Sequence, residues 1–282
     1  MINQIAKQII EILPQNAISR GVGVLGRSSI SRYIIKPYSK IYKINLDEME
    51  QSLDSYPNFT AFFTRKLKAE AREVVADPYT LSSPVDGKVA EYGDIKEGTL
   101  IQAKGIDYRV EQLIGCTKEE AERFDGGTFL TIYLSPSDYH RIHMPLSGAV
   151  TKATYLPGRL FPVNRIGVEH VPGLFTKNER LITYVDTQAG TIALVKVGAF
   201  IVGSVQVPYG NHTTNVKNGK YYTTSVNDTF YEKGEEVGLF EFGSTVVLLF
   251  ERDKVKLTNT LERGTKLKYG EPIGTYKSGD LG

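Results

Sequence analysis

Cysteine is almost missing: Cys116 is the only one in 282 residues. That excludes an intrachain disulfide framework and a multi-cysteine zinc site. Long apolar runs are missing as well, and none approaches the roughly 18 residues that a spanning helix needs. No basic stretch leading into an apolar core and a small-residue cleavage site opens the chain, so the expectation is a cytoplasmic protein rather than an exported one. Histidine is scarce, at four residues, and two of these fall in His140-Arg-Ile-His143. Net charge is close to nil at +2. The rest is the composition of a folding chain, 41% hydrophobic and 23% charged. The 27 glycines point to many turns rather than to long helices.

The small net charge hides a split. Residues 1–43 hold Lys7, Arg20, Arg27, Arg32, Lys36, Lys40 and Lys43 against the single acid Glu11, a surplus of six positive charges that leaves −4 on the remainder. Ile2, Ile5, Ile9, Ile10 and Leu13 in the same stretch recur at the spacing of one helical stripe. Two readings fit: a helix packed on its own domain or a second subunit, or a basic amphipathic segment lying in the headgroup layer of an anionic membrane. The basic residues are scattered and carry no nucleic-acid recognition motif, so no nucleic-acid partner is expected.

Residues 1 to about 75 read as mainly helical, with a second stripe at Phe59, Phe62, Phe63 and Leu67, flanked by Arg65, Lys66, Lys68 and Arg72. From about residue 80 the texture turns to short β-branched runs between glycines: Thr128–Leu134, Leu181–Val185, Thr191–Val197, Phe200–Val207 and Thr245–Phe250. The expected fold is α+β: a β-rich barrel or sandwich core, of the barrel-sandwich-hybrid kind, preceded by amphipathic helices. One helix should interrupt it near Thr117–Arg123, where Thr117 is suited to cap. The expected division is a basic amphipathic segment at 1–45 and a catalytic domain at 46–282. A weak repeat, Lys233-Gly-Glu-Glu-Val-Gly238 and Tyr269-Gly-Glu-Pro-Ile-Gly274, resembles the turns of lipoyl or biotinyl carrier modules. On that carrier reading Lys88 would be the modified residue.

Three constellations are candidates for chemistry. His140 and His143 share a helical face or, on an extended segment, point to opposite sides; two histidines without further ligands do not make a metal site. Asp86 lies in Ser82-Ser-Pro-Val-Asp-Gly-Lys88, which reads as a turn entering a strand. Gly243 and Ser244 precede the apolar run Val246–Phe250, either as a plain turn or as a hydroxyl nucleophile on a backbone that glycine allows to be strained. Asp86, His143 and Ser244 would form a nucleophilic triad if the fold joined them.

Together these pieces resemble the phosphatidylserine decarboxylases, bacterial pyruvoyl-dependent proenzymes. The matching segments are Asn58–Leu67, Ser83–Lys88, Asp138–Pro145, Tyr155–Asn164, Leu174–Arg180, Val197–Ser204 and Gly238–Thr245, standing in the family's order. The resemblance implies self-cleavage between Gly243 and Ser244 into a β chain of residues 1–243 and an α chain of residues 244–282. It also implies conversion of Ser244 to a covalent pyruvoyl group, with no metal and no pyridoxal phosphate. Phosphatidylserine would then lose CO2 through a Schiff base to give phosphatidylethanolamine. By resemblance Asp86 and His143 activate Ser244, and His140 positions the substrate carboxylate or donates the final proton. A homodimer of the two-chain unit and peripheral attachment to the cytoplasmic face of the cell membrane are implied as well. Other pyruvoyl decarboxylases, acting on a different serine lipid or an amino acid, share the same cleavage chemistry.

Overall fold

The computed structural model describes residues 13–277, apart from residues 104–105, 202–203 and 211. The stripe at Ile2–Ile10 lies outside the described residues. The described part opens with helix α1 (Gln15–Arg27), a 3-10 segment (Ser29–Ile34), α2 (Ile35–Ile41) and the short α3 (Phe59–Phe63). Asn58 caps α3 by accepting a hydrogen bond from the Ala61 N–H at 2.9 Å. The expected stripe breaks before Leu67. Beyond Thr64 the chain is drawn out alongside residues 48–50, with Glu50 N–H bonded to Lys66 O and Lys68 N–H to Glu48 O.

Strands then dominate, as expected. In chain order they are β1 (Thr80–Ser82), β2 (Gly87–Asp94), β3 (Thr99–Ala103), β4 (Ile106–Arg109), β5 (Thr128–Tyr133), β6 (Arg141–His143), β7 (Gly148–Leu156) and β8 (Arg180–Thr187). After them come β9 (Gly190–Val197), β10 (Val205–Gln206), β11 (Tyr222–Tyr231), β12 (Glu236–Phe240), β13 (Thr245–Phe250), β14 (Val255–Leu257), β15 (Lys266–Leu267) and β16 (Pro272–Tyr276). Eight of them form one antiparallel sheet in the order β11-β7-β8-β9-β13-β5-β2-β15. Two three-stranded sheets, β1-β16-β14 and β10-β12-β6, and the β3-β4 pair complete the fold. The α+β, strand-rich class holds. The large sheet is open, with β11 and β15 at its edges, so among the described residues no barrel closes.

The continuous apolar run of β13 has a direct cause. Val247 and Leu249 join one buried cluster while Val246, Leu248 and Phe250 join another on the opposite face, so both faces of the strand are covered. The helix near Thr117 forms with a reciprocal capping box: Thr117 Oγ1 accepts from Glu120 N–H, and Glu120 Oε2 accepts from Thr117 N–H. Of the run expected at Phe200–Val207, only Val205–Gln206 is strand. Ile201 takes a positive φ of 67° and its N–H bonds Ser19 Oγ on α1, which draws this segment toward the helices.

An aromatic wall ties the helices to the β core. Phe242 stacks on Phe59 at 5.8 Å and meets Phe63 at 5.1 Å, and Phe63 lies 4.2 Å from the His140 ring. Gly26 lets α1 approach: a Cβ there would sit 3.0 Å from the Phe242 ring and 2.8 Å from Thr60 Oγ1. Phe63→Ala should therefore lower unfolding stability by about 3–5 kcal/mol, the usual cost of emptying a buried aromatic site. Urea denaturation followed by tyrosine fluorescence checks this, and a loss below about 1 kcal/mol would show that the wall is not a packed core.

Candidate active site

The segment Glu241–Ser244 links β12 to the central strand β13. Ser244 is fully buried and pinned on both sides: its carbonyl accepts from Leu134 N–H at 2.9 Å, and its hydroxyl donates to the Val197 carbonyl. Gly243 has no positive φ, so strain at this glycine, one of the two sequence readings, is absent. What glycine provides is room. A Cβ on Gly243 would lie 3.5 Å from His140 Nε2 and 3.4 Å from the Leu134 carbonyl.

His140 is completely buried, and its Nδ1 lies 2.8 Å from the Asp138 carbonyl oxygen. A carbonyl only accepts, so Nδ1 carries the hydrogen and Nε2 presents its lone pair. That Nε2 has no hydrogen-bond partner. Burial first, and the nearby Arg65 charge second, push the His140 pKa down to about 3. The imidazole beside Gly243 is thus neutral, with its free nitrogen turned toward the residue before Ser244.

His143 and Asp86 occupy a second cluster. Residues 141–143 are extended, so the two histidines project differently, and β6 pairs with β12 so that His143 stands opposite Glu236. The His140 carbonyl meets Phe240 N–H at the other end. At about 3.3 Å per residue the two backbone positions are roughly 10 Å apart along the chain. His143 Nδ1 bonds the Gly234 carbonyl at 2.7 Å, and Nε2 accepts from Tyr139 O–H at 3.2 Å. Its ring lies flat on Tyr269 at 3.8 Å and 3°. Burial lowers its pKa. Asp86, in the turn before β2, takes a bidentate ion pair from Arg72 (3.1 and 2.5 Å) and the Tyr269 N–H at 2.9 Å. No hydrogen bond joins Asp86 to His143, or either to Ser244, among the described residues. Asp86 reaches His143 through Tyr269 and through its charge.

The sequence reading passed over Arg65, Arg72, Tyr139 and Tyr269 as site residues. Tyr269 did stand in the repeated Gly-Glu turn, and Arg72 among the basic residues flanking the phenylalanines. Lys88, needed by the carrier reading, is the second residue of β2, paired with Tyr133 and Lys266, and not at a hairpin tip. No cluster of three metal-ligating side chains occurs among the described residues.

A cavity of about 640 Å³ reaches this centre, lined by Leu25, Ile30, Ile34, Tyr38, Phe63, Phe242 and Gly243 among others. It lies between the N-terminal helices and the link before Ser244.

The depressed His140 pKa has a stability consequence with a definite sign. Folded His140 resists protonation down to about pH 3, whereas the unfolded ring protonates near 6.5. Its contribution is complete above about pH 6.5 and declines as pH falls from there toward 3. His140→Gln should flatten the pH dependence of stability in that window, measured by denaturant melts at successive pH values. An unchanged slope would mean that the buried ring is not neutral.

A sequence model of the phosphatidylserine decarboxylase family matches residues 59–275. A phosphatidylserine decarboxylase proenzyme of Brevibacillus brevis is 49% identical over 272 residues, covering 96% of this chain and 97% of that protein. Proteins of the same name from Shewanella frigidimarina and Myxococcus xanthus are each 41% identical, over 94% and 97% of this chain and 96% and 99% of their own lengths. With the family's segments spread from the aromatic wall to β16, and relatives matched almost end to end, the chain belongs to the phosphatidylserine decarboxylase family.

Proposed function

We propose that this chain is a proenzyme that cuts itself between Gly243 and Ser244, carries a pyruvoyl group at position 244, and decarboxylates phosphatidylserine to phosphatidylethanolamine. The observation that carries the reading is the unpartnered Nε2 of buried His140 facing Gly243, next to buried Ser244. Attack of Ser244 Oγ on the Gly243 carbonyl exchanges the amide for an ester as the hydroxyl proton passes to a base and then to the amide nitrogen. Loss of the Ser244 α-proton expels the Gly243 carboxylate and leaves dehydroalanine. Water then replaces the amine as ammonia, leaving a carbonyl.

The neighbourhood fits such a group: one orphaned imidazole nitrogen, a Ser244 hydroxyl bonded to a backbone carbonyl rather than to a charged side chain among the described residues, and an apolar cavity ending at Gly243. The pyruvoyl group supplies a carbonyl that takes up the substrate amine and draws electrons from the bond to the departing carboxylate. His140, whose Nε2 is unprotonated at rest, would take up a proton from water there and deliver it to the carbon that loses CO2. His143, supported by Asp86, is the base for maturation, and to act it must release Tyr139 O–H. A second reading, in which His140 is also the maturation base, is favoured by its shorter approach to Gly243.

Variants separate these duties. Ser244→Ala should remain one chain by intact mass, and a two-chain product would overturn the mechanism. His143→Ala and Asp86→Asn should slow cleavage, while His140→Ala should cleave yet decarboxylate about 10²–10⁴-fold more slowly per cleaved molecule. If His140→Ala stays whole and His143→Ala cleaves normally, the second reading stands.

The N-terminal region supports a peripheral membrane position on the cytoplasmic face. No described helix is long and apolar enough to cross a bilayer. Ile30 and Tyr33 are each 76% exposed, Ile41 is exposed as well, and exposed Leu25 and Ile34 line the cavity together with Ile30. Such a patch is what an interface-seated helix buries among headgroups. The homodimer implied by the family belongs to the same proposal. Arg27 is bound to Glu241 and Lys36 to Asp54, so Arg32, Lys40 and Lys43 are the residues to reverse. Their change to Glu should weaken sedimentation with anionic vesicles, as should high salt. Binding unaffected by either would leave a purely apolar attachment.

A further inference from the structure

Arg65 follows the aromatic helix α3 and is 4% exposed. It makes no ion pair with a carboxylate among the described residues. Its Nη2 donates to the carbonyls of Ser137 at 3.2 Å and Asp138 at 3.3 Å. The Phe62 ring lies 5.5 Å from the guanidinium carbon, and Nε and Nη1 have no partner. A buried cation so poorly compensated is unfavourable for stability, and an apolar side chain of similar size would pack there at lower cost.

What the charge does is felt next door. The Asp138 carbonyl that Arg65 holds also accepts the His140 Nδ1–H at 2.8 Å. The Asp138 carboxylate accepts from Ser135 N–H and Oγ at 2.7 and 2.8 Å and forms no ion pair with the cation among the described residues. The Phe63 ring and the Gly243 backbone also lie against His140, and neither is charged or titratable. Burial first, and then Arg65 as the charged group acting on this imidazole among the described residues, disfavour a second proton there.

We propose that Arg65 is the positioning residue that fixes His140 as the Nδ1–H tautomer and keeps Nε2 unprotonated toward the Gly243–Ser244 bond. The carbonyl clamp sets which nitrogen carries hydrogen. The charge adds to burial in making any proton taken up at Nε2 weakly held. This rests on the reading that His140 works at that bond.

Ring-nitrogen NMR of ¹⁵N-histidine-labelled Ser244→Ala protein reads the His140 state without any turnover. With Arg65 present, a single Nδ1–H tautomer should persist from pH 8 to about pH 5, as expected for a pKa near 3. Arg65→Met should introduce the second tautomer and raise the protonation midpoint by about one unit or more, the effect of removing one neighbouring charge. Arg65→Lys should restore the midpoint but not the single tautomer, because an ammonium supplies charge without the two-carbonyl geometry. An unchanged His140 spectrum in Arg65→Met overturns the proposal. Should that variant fail to fold, Arg65→Lys decides, since a single tautomer there overturns it equally. In cleavable protein, Arg65→Lys should lower kcat per cleaved molecule with little change in KM, and the loss should vanish in a His140→Ala background. Additive losses would show Arg65 acting elsewhere and overturn the proposal. If His140→Ala leaves cleavage and turnover untouched, the functional reading of the site falls, while the NMR result still decides what Arg65 does to the ring.

Discussion

The reaction centre depends on the backbone pairing of β13. Its residues pair with β5 on one side and β9 on the other, in register from Thr245 to Phe250. The same ladder extends one residue further to hold the Ser244 carbonyl on Leu134 N–H. Ser244 thereby begins a strand buried on both faces, and its hydroxyl falls beside Val197, the last residue of β9. A hydroxyl bonded to a carbonyl is neither free to attack nor deprotonated. The uncleaved arrangement is a resting one, and any base that starts maturation must compete with that acceptor. Because Ser244 is fixed by the sheet, small shifts in the link before it change the approach to Gly243 without moving the strand.

That link is held from the N-terminal side. Glu241 is buried and takes Ser204 Oγ and Gln206 Nε2 from the β core and the Arg27 guanidinium from the end of α1. One residue on, Phe242 stacks against Phe59 and touches α1 at Gly26. The helices that expose Ile30 and Tyr33 and the residues that flank Ser244 are consequently one packed unit. The Arg27–Glu241 contact is half exposed at the arginine, so solvent screening limits its own strength. The stacked rings supply most of the cohesion, and they also form the floor of the cavity that opens among the exposed apolar residues.

The strand texture was legible because most of the runs are apolar on two faces; β8, β9 and β13 emerged where β-branched residues cluster. Barrel closure was not legible, since whether edge strands such as β11 and β15 meet depends on twist and pairing that residue types do not encode. The second aromatic stripe misled at Leu67 because pairing with residues 48–50 overrode helical spacing. At the site, the residues came from resemblance and their grouping did not. Asp86, His143 and Ser244 were read as one relay, whereas the structure spreads them over two clusters. The reason is local: an extended segment sends residues three apart to different sides, so His140 faces Gly243 and His143 stacks on Tyr269. Arg65 carried no signal beyond a basic residue flanking phenylalanines, a position that usually means a solvated face.

Both histidines are buried and held below their ordinary pKa, yet their surroundings prepare them for different proton traffic. His143 has both nitrogens bonded, with Tyr139 O–H occupying its lone pair. It can accept a proton only after a rearrangement, and the charge on Asp86 favours the cation that would result. His140 needs no rearrangement to accept, but burial and then the adjacent Arg65 charge disfavour its cation. A base that acts once, during maturation, can afford a conformational step. A group that takes and returns a proton in every turnover gains from a lone pair that is already open. Burial lowers the pKa of both rings first; beyond it, His143 has the Glu236 and Asp86 carboxylates acting on it, whereas His140 has the Arg65 guanidinium.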